Sequence, residues 1–306
     1  MEDYPRTLLE LEHRFATDQA CREYLFALRW PEGFVCPRCG GNQAWAMSRG
    51  LWLCAGCRYQ VSVTAGTVFQ DTRLPLTLWF RAMGYITSQK NGTSALGVQR
   101  ILGLGSYETA WTWLHKLRRA MVRPGRDRLS GTVEVDETYL GGPEAGVGGR
   151  GAGKKALIAV AAQEAGRGIG RVRLRRIADV SALTLCRFVD HAVEPGSLIR
   201  TDGWPAYRSV QLRGYRHEVR VIGRRRQSAS ELLPRVHRVV ALLKRWLLGT
   251  HQGSASHPHL DYYLDEFTFR FNRRTSRSRG KLFYRLVQQA VATPPRPYAT
   301  LIDPKI

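Results

Sequence analysis

The stretch TVEVDETYLGG, Thr132 to Gly142, places three acids within four positions: Glu134, Asp136 and Glu137. Its period-two alternation before a glycine pair is the pattern of a half-buried strand that ends in a turn. On such a strand Glu134 and Asp136 share one face, and Val133 and Val135 share the other. The concentration of acid is unexpected, because the chain carries 47 Lys and Arg against 25 Asp and Glu, for a formal net charge of +22.

The neighbouring segments continue the theme. KKALIAVAAQ (154–163) and IGRVRLRRIAD (169–179) read as two further strands, separated by glycine-rich or charged turns. SALTLCRFVDHAV (181–193) has apolar residues at 183, 185, 188, 189 and 193 and reads as a helix; SLIRTDG (197–203) follows as a strand ending at Asp202. Three strands, a helix, a strand and later helices predict an α/β order with a mixed sheet. If the first and fourth strands are neighbours, Asp136 and Asp202 meet at one place. Two carboxylates there would repel until one took a proton, and a divalent cation such as Mg²⁺ removes that penalty.

The composition indicates what such a site would act on. A net charge of +22 implies a polyanionic partner, nucleic acid before an anionic membrane surface. The longest aliphatic run, ALIAVAA (156–162), is far short of the roughly 20 residues that span a bilayer. MEDYPRTLLELEHRF has acids where a secretory leader carries basic residues, so a cytoplasmic, reducing location is expected.

Four of the six cysteines stand as C36PRC39 and C54AGC57, fourteen residues apart. Two such knuckles can converge four thiolates on one structural zinc ion, which holds a small module together and performs no chemistry. Cys21 and Cys186 stand alone in apolar patterns and read as core residues. Arg38, Arg49 and Arg58 can turn the zinc module towards phosphate. Farther on, TSALGVQRILG and SYETAWTWLHKLRRAMV flank Gly103–Gly105, with Thr93 or Ser94 and Ser106 as N-caps, and fit a helix-turn-helix. Trp111, Trp113 and Leu114 read as core there, and Lys116, Arg118 and Arg119 as phosphate contacts.

With these motifs in hand, the chain resembles bacterial insertion-sequence transposases of the DDE superfamily, in the group that joins a zinc ribbon to a ribonuclease H-like, integrase-like catalytic domain. C36PRC39 with C54AGC57, VEVDETYLGG (133–142), TDGWPAY (201–207), LLKRWLLGTH (242–251) and YLDEFTFRFNRR (263–274) carry the resemblance. It implies a ribonuclease H-like mixed sheet flanked by helices and makes Asp136 and Asp202 the first two acidic metal ligands. Relatives often carry a third acid seven residues before a lysine. Here that position is His237, with Lys244 as the companion base, two helical turns away on the same face. Histidine can offer a neutral nitrogen to Mn²⁺ more readily than to Mg²⁺, or can relay a proton. Contact with DNA phosphate alone is the other reading of His237, and Glu231 is the reserve acid.

The expected organisation is an N-terminal helix plus zinc ribbon (1–68), a helix-turn-helix region (69–125), the catalytic domain (126–292) and a proline-rich tail (293–306). GGRGAGKK (148–155) only approximates a phosphate-binding loop, because Lys155 stands where a hydroxyl is needed. RRTSRSRGK (273–281) reads as a DNA-contacting loop that uses Arg273 and Arg274. The resemblance implies Mg²⁺- or Mn²⁺-dependent cleavage and strand transfer on double-stranded DNA, at element ends and target, by at least a dimer associated with the bacterial nucleoid. Two rivals stand beside this reading: a nuclease of the same fold without strand transfer, and a zinc-ribbon DNA-binding regulator whose catalytic core has decayed.

Overall fold

Two helices open the chain, α1 (Leu8–Arg14) and α2 (Asp18–Arg29), each capped by a threonine, Thr7 or Thr17, whose side chain accepts a first-turn backbone N–H. The computed structural model describes residues 2–123, 125–141, 155–221, 229–253 and 257–302. It divides into two compact units, Met1–Arg123 with Thr275–Ile306, and Pro124–Arg274.

In the first unit the cysteine segment forms an antiparallel sheet of β1 (Ala44–Ala46), β2 (Leu51–Cys54) and β3 (Gln60–Ser62). Trp52 of β2 stacks on Phe26 of α2 at 4.4 Å, which ties this sheet to the helix. Then come α3 (Leu76–Ser88), α4 (Ala95–Leu102) and α5 (Tyr107–Ala120). Ser94 and Ser106 cap α4 and α5, and Gly103 closes α4 in the left-handed region at φ 62°. Trp113 is buried and stacks on Trp79 of α3 at 3.9 Å, so it belongs to the core, as does Leu114.

The second unit contains β4 (Thr132–Leu140), β5 (Ala156–Ala165), β6 (Gly168–Ile177), α6 (Ala182–Ala192) and β7 (Leu198–Thr201). A 3₁₀ segment (Pro205–Arg213), β8 (Arg216–Val219), α7 (Ala229–Leu232), α8 (Pro234–His251) and α9 (Leu260–Asn272) complete it. The sheet order is β6-β5-β4-β7-β8; the first three strands pair antiparallel, and β4, β7 and β8 pair parallel. A mixed sheet in this order with helices on both faces is the ribonuclease H-like arrangement. β5 is buried on both sides from Ala156 to Ala162, which accounts for its unbroken aliphatic run. One face packs Ile158, Val160 and Ala162 against Val236, Val239 and Leu243 of α8 and Leu264, Phe267 and Phe271 of α9. The other packs Val133, Val135, Ala159 and Ala161 against Leu185, Phe188 and Val189 of α6.

The first unit is completed by α10 (Arg279–Ala290), which packs on α3, and by a short α11 (Tyr298–Ile302) inside the proline-rich tail, where Leu301 is buried. Leu183, expected on the apolar face of α6, is 59% exposed instead, because helical geometry puts it on the side opposite the buried Leu185, Phe188, Val189 and Ala192. Residues 148–154 of GGRGAGKK lie outside the described residues. Among the described residues no helix is long and apolar enough to cross a membrane.

Candidate functional site

The three acids of β4 serve three different neighbours. Glu134 is fully buried, and its Oε2 accepts the backbone N–H of Arg235 at 2.7 Å and of Val236 at 2.9 Å. These amides belong to the first turn of α8, where no residue of the helix itself can accept them and where negative charge is favoured. Pro234 precedes them and has no N–H to satisfy. Glu134 Oε1 also accepts from Arg235 Nη1 at 2.9 Å, and Arg235 reaches on to Glu164 at 2.6 Å and to the carbonyls of Gly166 and Gly168 in the β5–β6 turn. One carboxylate thus fixes the start of α8 on the sheet.

Two residues along the same face, Asp136 lies 3.6 Å from His237 Nε2, and its Oδ1 accepts the Glu137 N–H at 2.9 Å. His237 enters through the anchored first turn of α8. β7 lies beside β4 in parallel, with Thr132 level with Leu198 and Glu134 level with Arg200. That pairing ends at Glu134 and Arg200, two residues before Asp136 and Asp202. Asp202 leaves β7 in a turn, its Oδ1 accepting the Trp204 N–H at 3.0 Å. Burial lowers the His237 pKa below the ordinary 6.5; Glu134 and Asp202 oppose the shift, and Lys244 adds to it. Lys244 itself is exposed. Hence His237, Asp136, Asp202 and Lys244 share one electrostatic neighbourhood.

Glu137 points to the opposite side and accepts from the Tyr207 hydroxyl at 2.7 Å. Tyr207 is fully buried; burial first, then Glu137, Asp136 and Asp202, push its pKa well above the ordinary value. It remains a phenol that donates, and it pins the segment after Asp202 to β4. Sequence reasoning missed Tyr207 and the capping role of Glu134. The signal for the latter is a strand acid at matching parity with a helix whose first residue is Pro234.

The donors suit a hard divalent cation: two part-exposed carboxylates, Asp136 within β4 and Asp202 just past β7, with an imidazole whose pKa is lowered. Among the described residues only Cys36, Cys39, Cys54 and Cys57 bring three or more ligand atoms within 4.8 Å of one another. There the Cys36–Cys57 and Cys39–Cys54 sulfurs lie 3.6 Å apart, the edge length of a tetrahedron with Zn–S bonds of about 2.3 Å. Gly41 backs the cluster, where a Cβ would sit 3.4 Å from Cys39 Sγ and 3.5 Å from Cys54 Sγ. Against the cost of burial, the backbone N–H groups of Cys39 and Arg38 draw the Cys36 thiol down to about 6. Cys39 rises to about 12 as its neighbours outweigh the Gly41 N–H. Four thiolates therefore require a cation, and the cluster is a structural zinc site. Cys21 is fully buried, its thiol pushed up to about 12 by burial, and Cys186 is buried, both as core residues.

Other expected contacts are placed differently. Arg118 is 2% exposed and turned into the helical core, because the α5 face that buries Trp113, Leu114 and Leu117 is wide enough to include it; it cannot meet phosphate. Lys116 is half-buried, and Arg119 is exposed. Arg274 lies over the Phe271 ring at 4.0 Å and donates to the carbonyls of Ile169, Gly170 and Phe271, so it braces β6. Arg273 covers Phe269 at 4.1 Å. Glu231 lies on α7, separate from α8.

Replacing Glu134 by alanine strands Arg235 and two helix amides, and a loss of about 3–5 kcal/mol is expected in urea-unfolding midpoints; Glu134→Gln, which keeps one acceptor, loses less. Stripping the cysteine cluster with a chelator is expected to release one zinc per chain, read by a colorimetric zinc indicator, and to melt the Trp52–Phe26 contact, read by tryptophan fluorescence.

Comparison with known proteins agrees with these modules. Residues 128–272 match the family model of the ISXO2-like transposase domain, and residues 16–60 match that of the transposase zinc-ribbon domain. The chain is 29% identical over 140 residues to an uncharacterized protein in transposable element ISH50 of Halobacterium salinarum, a match covering 44% of this chain and 45% of that relative. The chain thus spans about half the length of that relative. Among solved structures it is similar to the catalytic core domain of BIV integrase, at 17% identity and a TM-score of 0.29, covering 45% of this chain and 81% of that one. It is also similar to the Mos1 strand transfer complex, at 12% identity and a TM-score of 0.29, covering 70% and 75%. The chain thus carries, in order, a segment similar to a transposase zinc-ribbon domain and a segment similar to an ISXO2-like transposase domain.

Proposed function

We propose that the chain is a metal-dependent transposase that cuts DNA at the ends of its own mobile element and joins the freed ends to a target. The observation that carries this reading is His237 facing Asp136 at 3.6 Å, with Asp202, just past the end of β7, also acting on His237. Asp136 and Asp202 would hold Mg²⁺ or Mn²⁺, which would supply Lewis-acid stabilisation of the attacked phosphate and of the entering and leaving oxygens. His237 offers a nitrogen or relays a proton, and its lowered pKa keeps it neutral at physiological pH. Lys244, exposed and two turns along α8, orients phosphate. The zinc ribbon and helix-turn-helix recognise element ends, with Lys116 and Arg119 on α5 as contacts. Two ends have to be held together, so the active form is at least a dimer, acting on DNA in the cytoplasm.

Incubating the protein with a plasmid bearing element ends in Mg²⁺ or Mn²⁺ tests the assignment. Asp136→Asn and Asp202→Asn should each lower cleavage by more than about 100-fold while DNA binding persists, since loss of an ion's direct ligand exceeds the cost of losing an outer partner. Full cleavage by either variant removes the site. Cut 3′ ends that never join a second duplex would leave a nuclease, and binding without any nicking would leave a DNA-binding regulator.

A pH profile tests His237. Protonation removes its nitrogen donor, so cleavage should hold as pH falls to the ordinary imidazole value of 6.5 and decline only below it. His237→Asn should erase that acid limb; an unchanged limb in the variant assigns it to another group.

A further inference from the structure

The other face of the catalytic sheet carries a concentration of positive charge that the reaction at Asp136 does not use. Arg171, Arg173 and Arg175 alternate along the edge strand β6 and so share one side of it. In register, Arg173 lies beside Ala161 and Arg175 beside Ala159, the alanines packed with α6, whereas Asp136 lies beside Val160 on the α8 side. Two more arginines arrive from the segment before β4. Leu129 is bridged to Val193 at the end of α6, Arg171 Nη2 donates to the Arg128 carbonyl at 3.2 Å, and Arg173 Nη2 donates to the Asp127 carbonyl. His191, in the last turn of α6, registers the combined field: its pKa is lowered by burial and then by Arg175, Arg126, Arg128 and Arg173.

Counter-charge is sparse. Asp127 pairs with Arg171 at 3.6 Å while itself 70% exposed, and Asp265 acts on Arg126. Among the described residues, neither Arg128 nor Arg175 has an ion-pair partner. Arg173 is 5% exposed, held by the carbonyls of Val172 and Asp127, and burial followed by Arg126 and Arg171 brings its pKa down to about 9. Charge on an edge strand also discourages strand pairing between molecules. That role needs only exposed charge, though, and does not account for a buried guanidinium or for arginines converging from two segments on one face. An arrangement that is repulsive alone becomes favourable once phosphates enter, because guanidinium forks bind phosphate in pairs and displaced counterions are released.

We infer that Arg126, Arg128, Arg171, Arg173 and Arg175 form a second nucleic-acid site, which binds the phosphate backbone of a DNA duplex on the sheet face opposite Asp136. The inference rests on the reading of the chain as a DNA-acting transposase. It adds that a stretch of duplex other than the one under attack is held on the back of the catalytic unit. Arg173 is the buried floor of this site, and Arg128, Arg171 and Arg175 are the side chains that meet phosphate.

The test is fluorescence anisotropy with a labelled duplex, titrated between 50 and 200 mM salt, on the full chain and on the triple variant R128Q/R171Q/R175Q. The logarithm of affinity falls against that of salt with a slope of about −0.9 per phosphate contact, so losing three contacts should flatten the slope by about 2–3 and weaken low-salt binding more than about tenfold. The matching triple lysine variant should keep most of the slope. Equal slope and affinity in a triple glutamine variant that melts with the wild type overturns the site and leaves the Asp136 reading intact. If wild-type protein binds no duplex, both readings fall together. Unchanged DNA affinity with lost self-association would make this corner an interface between protein molecules, and the proposal fails. Should the triple variant not fold, Arg175→Glu alone carries the test, since Arg175 is exposed: a slope as steep as wild type refutes the site.

Discussion

The candidate site depends on a carboxylate that stands apart from the proposed chemistry. Glu134 takes up two amides at the start of α8 and an Arg235 guanidinium, so strand and helix are joined by charge-assisted hydrogen bonds to a fully buried carboxylate. Two consequences follow from ordinary geometry. Strand alternation puts Asp136 two residues on and on the same face, and the helix puts His237 in the turn just anchored. Their separation of 3.6 Å is thus set by the clamp and does not rely on their own attraction. A buried ion pair of this kind adds little net stability against a hydrophobic substitute, but breaking it is costly, so it suits positioning better than adhesion.

Charge in the second unit is arranged as a chain. Arg235 bridges Glu134 to Glu164; Glu164 meets Arg200, and Arg200 meets Glu218, which also holds Arg220. The ladder crosses β4, β5, β7 and β8 and neutralises acids that would otherwise add repulsion beside Asp136 and Asp202. Basic charge is concentrated on the α6 side of β6, where Arg171 pairs with Asp127 and Asp265 acts on Arg126. A protein with so large a positive excess therefore has one acidic pole and one basic corner on opposite faces of a single sheet.

Much of this was legible from residue order, and the exceptions share a cause. Period-two alternation located β4 and β6, an aliphatic run bounded by turns located β5, and helical periodicity located α8 and α9, because each buries a face whose spacing is local. The cysteine spacing announced its own cluster. The capping role of Glu134 went unread because sequence cannot say which distant helix starts above a strand. β8, four residues at the sheet edge with a single apolar side chain at its end, has no pattern to recognise. The packing of α10 on α3, a tertiary choice between two apolar surfaces, leaves no mark in its periodicity. Arg118 and Arg274 looked like phosphate contacts because they are arginines among arginines; one is enclosed by its helix face and the other is occupied by backbone carbonyls.

The histidine at 237 then acquires an electrostatic rationale. Asp136, Asp202 and the buried Glu134 already surround that position, and a further carboxylate there would have to be desolvated beside all three. An imidazole adds no further negative charge to the three acids already there. The arrangement has a cost in the proposed chemistry: an imidazole holds a hard cation less firmly than a carboxylate does, which shifts the balance from Mg²⁺ towards Mn²⁺. It also makes the third position pH-sensitive where an acid would be silent near neutrality. Burial lowers the His237 pKa and so moves that sensitivity below the physiological range, while the nearby acids limit how far it moves. The same burial that seats α8 on the sheet thus favours the neutral form of His237 on which the proposed chemistry relies.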